Sequence, residues 1–154
     1  MLKILFVCTG NTCRSPMAEY LAKNIFAKNN LSVQTASAGI AANISSQASE
    51  NAIAAMKNFG IDILNHKSQS ISQKLIDEND FIFTMTNGHK NFLSANFPNA
   101  SNKIFTLASF SDNPNYDIID PFGGDIEIYK KCAAEISALI EIIAAKIKSG
   151  GIVK

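Results

Sequence analysis

No stretch of this chain approaches the roughly 18 apolar residues that a membrane-spanning helix needs. Neither sign of charge is in surplus: fourteen Lys and Arg face thirteen Asp and Glu. That balance supports neither a nucleic acid nor a membrane surface as partner. Cysteine is scarce and odd in number, at three, which does not make a disulfide framework and leaves at least one thiol free. The two histidines, His66 and His89, lack metal-ligand spacing, so neither a metal nor another cofactor is expected. The apolar stretch Leu2–Val7 is too short for a secretory h-region and no small-residue cleavage site follows it. The expected compartment is the cytoplasm. With no internal repeat, low-complexity tract or linker, residues 1–154 are expected to form a single domain.

What is present is an alternation of apolar runs and helical patterns. Leu2–Cys8 is continuously apolar after Lys3, as suits a strand buried on both faces of a parallel sheet. Ser15 and Pro16 read as the N-cap and first position of a helix that runs to about Lys28. Further strands are expected at Leu31–Ala38, Phe81–Met85 and Lys103–Leu107. Helices are expected at Ser46–Phe59, closed by Gly60, then within Ser68–Glu78, at Gly88–Asn96 and over Ile126–Ile147. Ala108–Gly124 is the longest loop, of the size that is usually functional or disordered. The alternation indicates an α/β fold with a parallel sheet.

The first strand–loop–helix unit, V-C-T-G-N-T-C-R-S-P over Val7–Pro16, carries chemistry. Its loop lies at the C-terminal end of a parallel strand, where open α/β sheets bind ligands. It feeds a helix N-terminus, whose free N–H groups favour an anion. Gly10 and Asn11 tolerate left-handed backbone, so the loop can curl its N–H groups around a phosphate. Arg14 adds a planar charged fork for two phosphate oxygens. The same field is expected to depress the pKa of Cys8 and make it a nucleophilic thiolate, with Ser15 donating to the sulfur. The pattern contains no G-K-[ST], so it is not a nucleotide-binding P-loop.

A thiolate displacing at phosphorus needs a proton for the leaving group. Asp120, on the long loop before Pro121, is a candidate; from the local sequence alone it is equally an Asx-turn residue. Asp117 and Asp125 are the next candidates.

The string C-T-G-N-T-C-R-S-P resembles the phosphate-binding signature of the low-molecular-weight phosphotyrosine phosphatases, and D-P-F-G-G at Asp120–Gly124 resembles their general-acid segment. The resemblance covers nearly the whole chain. It implies a four-stranded parallel sheet of order 2-1-3-4 with helices on both faces. It also implies Cys8 as nucleophile, Arg14 as phosphate clamp and Asp120 as general acid. Thr9, Gly10, Asn11, Thr12, Cys13 and Ser15 would form the phosphate loop, with Ser37 and His66 supporting Asn11. The implied partner is a phosphorylated protein, and the product is inorganic phosphate.

Two departures bear on the substrate. Thr12 stands where the tyrosine-specific branch usually has a larger aliphatic residue, and Phe122 is followed by Gly123 and Gly124 rather than a second aromatic. Both features resemble the bacterial protein-arginine phosphatases of the same family. The Thr12 hydroxyl suits a guanidinium N–H, and Asp120 suits its charge. Phosphoarginine is therefore favoured over phosphotyrosine. An arsenate reductase needs relay cysteines, and only Cys132, in the last helix, is left for that. A redox-sensing or phosphate-binding module would have no use for Asp120. A loop wrapped around one phosphate also brings Cys8 and Cys13 close, so an oxidative crosslink between them is expected.

Overall fold

A computed structural model describes residues 1–153. The chain runs β1 (Leu2–Cys8), α1 (Arg14–Lys28), β2 (Val33–Gly39), α2 (Glu50–Lys57), α3 (Gln73–Glu78), β3 (Phe81–Thr84), α4 (Asn87–Asn96), β4 (Ile104–Thr106) and α5 (Ile126–Lys148). The four strands form one sheet in the order β2-β1-β3-β4, and every pairing is parallel. No helix among the described residues is long and apolar enough to cross a membrane.

β1 is central, which explains its unbroken apolar sequence. Ile4, Phe6 and Cys8 pack with residues of α1, α2 and α5 on one face, while Leu5 and Val7 pack with residues of α3 and α4 on the other. Alternate side chains of a strand point to opposite faces, so a strand covered on both sides needs no polar positions. Phe6, Phe83 and Met17 lie at the larger core and are fully buried.

Several boundaries differ from the sequence reading for local reasons. α1 begins at Arg14, one residue before the expected cap; Cys13 occupies the N-cap position and its side chain makes no capping bond. Ser15 lies inside the helix, with its hydroxyl turned to other work. α2 begins at Glu50 rather than Ser46, because Ser49 accepts from the Ala52 N–H. It stops at Lys57, and Gly60 closes the turn at φ +69°. A short 3₁₀ turn at Pro98–Lys103, not anticipated, follows α4. Gly10 does not take up left-handed backbone; within the loop only Asn11 does, at φ 55°.

Gly39 ends β2 opposite Cys8. A Cβ built there would lie 2.5 Å from the Thr9 carbonyl oxygen and 3.0 Å from the Asn11 nitrogen, both backbone atoms of the loop. Backbone cannot swing aside as a side chain tip can. Gly39→Ala is expected to destabilise the protein by about 1–3 kcal/mol, as overpacking does. Chemical denaturation checks this, and an unchanged midpoint would show that the loop yields freely.

Candidate active site

The loop that leaves β1 is shaped around one buried residue. Asn11 is completely buried. Its Nδ2 donates to Ser15 Oγ at 2.8 Å and to Ser37 Oγ at 2.9 Å. Its Oδ1 accepts from the Gln69 N–H at 3.0 Å, and its carbonyl lies 2.8 Å from His66 Nε2. Ser37 in turn donates to Glu19 Oε1 at 2.5 Å. Burial pushes the Glu19 carboxyl up, and the Ser37 bond and the nearby His66 and Lys23 pull it back.

The donor directions along this chain have a consequence at sulfur. Ser15 Oγ already accepts from Asn11, so its own hydrogen is available to Cys8 Sγ, 2.9 Å away. The alternative acceptor, the Ala38 carbonyl, is longer at 3.4 Å. The Asn11 N–H also reaches Cys8 Sγ, at 3.3 Å. Burial nevertheless pushes the Cys8 thiol up, the reverse of the depression expected from the sequence. The Ser15 hydroxyl, the Ser15 and Asn11 N–H groups and the Arg14 charge act in the opposite direction.

Arg14 is buried at the first position of α1. One guanidinium nitrogen donates to the Ile118 carbonyl at 2.8 Å, and the other lies 3.6 Å from Asp120 Oδ2. Asp120 therefore faces the loop from the long connection before α5. Its Oδ1 accepts from the Phe122 N–H at 3.1 Å, so the Asx turn is present as well. The other two acidic candidates are engaged elsewhere. Asp117 accepts from Asn87 at the start of α4, and Asp125 caps α5 through the Ile128 N–H.

Cys8, Thr9, Gly10, Thr12, Cys13, Arg14, Asp120 and Phe122 line one cleft of about 210 Å³. Asn11 lies behind it, with Ser15, Ser37 and His66 each hydrogen-bonded to Asn11. Phe122 is 80% exposed at the rim, and Gly123 after it takes φ +82°. All three cysteines are free thiols. Among the described residues no group of three or more His, Cys, Asp or Glu could hold a metal ion.

Sequence reasoning missed several participants. Gln69 holds Asn11 through its backbone N–H and Ser37 through its side chain, and neither contact leaves a residue-type signature. Tyr129 is buried in α5 with its hydroxyl 3.4 Å from Cys13 Sγ; burial pushes it up to about 12. Ser49, the α2 cap, accepts from Cys13 Sγ at 3.3 Å. His89 bridges Thr9 and Thr86 at 2.9 and 3.0 Å, a role that its lack of metal-ligand spacing does not reveal.

A family model for "Low molecular weight phosphotyrosine protein phosphatase" matches residues 3–151. A protein-arginine-phosphatase of Bacillus subtilis is 39% identical over 147 residues, covering 96% of this chain and 97% of that protein. Its counterpart in Geobacillus stearothermophilus is 42% identical with the same coverage. Among solved structures, a cysteine-to-serine mutant of the YwlE arginine phosphatase, with a phosphorylated active site serine, superimposes with a TM-score of 0.92. It is 37% identical and the match covers 96% of each chain.

Removing the Ser15 hydroxyl takes away a bond that favours the thiolate and leaves the burial that opposes it. Ser15→Ala should therefore raise the Cys8 pKa. The pH midpoint of Cys8 alkylation by iodoacetamide is expected to move up by about one unit, the worth of one hydrogen bond. A midpoint that stays put or falls would contradict the donor directions above.

Proposed function

This chain belongs to the low molecular weight phosphotyrosine protein phosphatase family, and from that premise we propose that it hydrolyses phosphoarginine in proteins through a phosphocysteine intermediate. The observation that carries the reading is the meeting, in one cleft, of a loop-cradled Cys8 thiol with Arg14 and Asp120. The chain as a whole is read as one phosphatase domain.

In this reading the loop N–H groups of Thr9 to Cys13, together with Arg14, hold the phosphoryl oxygens. The Cys8 thiolate attacks phosphorus. As the P–N bond breaks, Asp120 gives a proton to the departing guanidine nitrogen. Water then attacks the phosphocysteine with Asp120 as base, which releases inorganic phosphate and restores the thiolate. Arg14 and the loop N–H groups stabilise the equatorial oxygens in both steps. A phosphate competes for the guanidinium nitrogen that now faces Asp120, freeing the carboxyl for proton transfer. Asn11, Ser15, Ser37 and His66 keep the loop in shape for this.

Two walls of the cleft favour phosphoarginine. Thr12 lines the cleft and carries a hydroxyl able to accept from a guanidinium, and Phe122 is the single aromatic lining it, with no side chain at Gly123. The relatives that are about 40% identical are named for arginine. Phosphotyrosine is the second reading, supported by the family's own description and by the exposed Phe122 ring, which suits a phenol. An arsenate reductase relay is disfavoured: Cys132 is buried in α5 and its thiol is pushed up to about 12, chiefly by that burial.

The test is kcat/KM on matched phosphoarginine and phosphotyrosine peptides, for wild type and Thr12→Ile side by side. Wild type is expected to prefer phosphoarginine. Thr12→Ile removes a hydrogen bond to a charged donor, worth about 1.5–3 kcal/mol, so the ratio should shift toward phosphotyrosine by one to two decades. A wild-type preference for phosphotyrosine would overturn the substrate assignment. An unchanged ratio in the variant would reduce Thr12 to a turn residue.

A further inference from the structure

His89 lies in α4, an element with no part in the mechanism above, yet its ring reaches the phosphate loop. The residue is buried and both ring nitrogens are engaged. Nε2 lies 2.9 Å from Thr9 Oγ1, and Nδ1 lies 3.0 Å from Thr86 Oγ1. The same Thr86 oxygen caps α4 by accepting the His89 backbone N–H at 3.1 Å.

Counting hydrogens, together with the exposure of the two hydroxyls, selects the tautomer. A hydroxyl has one hydrogen to give and two lone pairs to accept with. If Nδ1 carried the proton, Thr86 Oγ1 would accept two N–H bonds and its own hydrogen would have no acceptor among the described residues. If Nε2 carries it, Thr86 gives its hydrogen to Nδ1, and the hydrogen left over belongs to exposed Thr9 at the cleft, where solvent or a bound anion accepts it, rather than to half-buried Thr86. Nε2–H then donates to Thr9 Oγ1, and the Thr9 hydroxyl hydrogen is left without a protein acceptor. Thr9 lines the cleft with Cys8 and Arg14. The choice of one tautomer requires a neutral ring, and burial, followed by the Arg14 charge, pushes His89 down to about 4.

We propose that His89 is a positioning residue that fixes Thr9 as a hydroxyl donor to the bound phosphoryl group. It rests on the reading of the cleft as a phosphate site. The oxygen of Thr9 is filled by Nε2–H, so its hydrogen turns toward the anion, adding a side-chain donor to the N–H ring. The arrangement also ties the loop to the capped end of α4, next to β3.

A double-mutant cycle tests this, read by kcat/KM for p-nitrophenyl phosphate and by the inhibition constant of inorganic phosphate. Thr9→Val and His89→Leu should each weaken phosphate inhibition and lower kcat/KM by about tenfold. The double variant should be no worse than either, because both remove one donor. His89→Gln, whose amide can still donate to Thr9, should recover most of the loss, which a packing role for the imidazole would not predict. Unchanged phosphate inhibition in Thr9→Val would overturn the proposal, as would losses that multiply in the double variant. Wild-type turnover and its inhibition by phosphate stand or fall separately, so failure of the phosphate-site reading is distinguishable from failure of this one. Thr9→Val sits at an exposed loop position and keeps the cycle readable should His89→Leu fail to fold.

Discussion

The left-handed backbone of Asn11 is the constraint on which the site depends. An L-residue at φ 55° is disfavoured by roughly 1–2 kcal/mol, and Asn11 is also polar and fully buried. Either feature alone would be a liability in a protein interior. Together with four hydrogen bonds, two given to Ser15 and Ser37 and two shared with Gln69 and His66, they become a rivet. Left without those partners, the buried amide would cost several kcal/mol, more than the strained backbone does. The surroundings therefore over-determine the conformation. The turn it creates aims the Asn11 N–H at Cys8 Sγ.

The partners come from well-separated parts of the chain. Ser37 lies near the end of β2, His66 and Gln69 in the connection between α2 and α3, and Ser15 and Glu19 in α1. The loop is consequently closed from behind by the fold and not by its own five residues. Gly39 belongs to the same closure, since its missing side chain is what lets the Thr9 carbonyl and Asn11 nitrogen approach β2. On the solvent side only the long loop carrying Asp120 and Phe122 completes the cleft. In the proposed reaction the half of the site built around Asn11 would hold phosphate, and the loop half would supply the acid and the wall that selects the leaving group.

Much of this was legible in the sequence. The apolar run of β1, the C-T-G-N-T-C-R-S-P string and the D-P-F segment gave the strand order through the family resemblance; Cys8 and Arg14 were readable from the loop itself, and the other cleft residues came through the resemblance. Ser15 was expected to donate to the Cys8 sulfur and lies 2.9 Å from it, but it was also expected to cap α1 and instead lies inside the helix, because a residue type signals capping strength and not the register of the helix start. Gln69 was invisible because its contact to Asn11 is made by backbone. His89, Tyr129 and Glu19 were invisible because each acts through a partner distant in sequence. The Cys8 thiol was expected to be depressed on the strength of dipole, charge and the Ser15 hydroxyl; the depth at which Cys8 itself is buried, which raises it, does not show in a string of residues.

The claim that Cys8 is the atom that accepts the phosphoryl group is tested most directly by catching the intermediate. Wild-type protein mixed with a phosphoarginine peptide and quenched on the millisecond scale should carry one phosphate, mapped by mass spectrometry to Cys8, which appears before free phosphate accumulates. Phosphate released with no covalent enzyme species formed on the way, or a label on Cys13 in place of Cys8, would contradict the account.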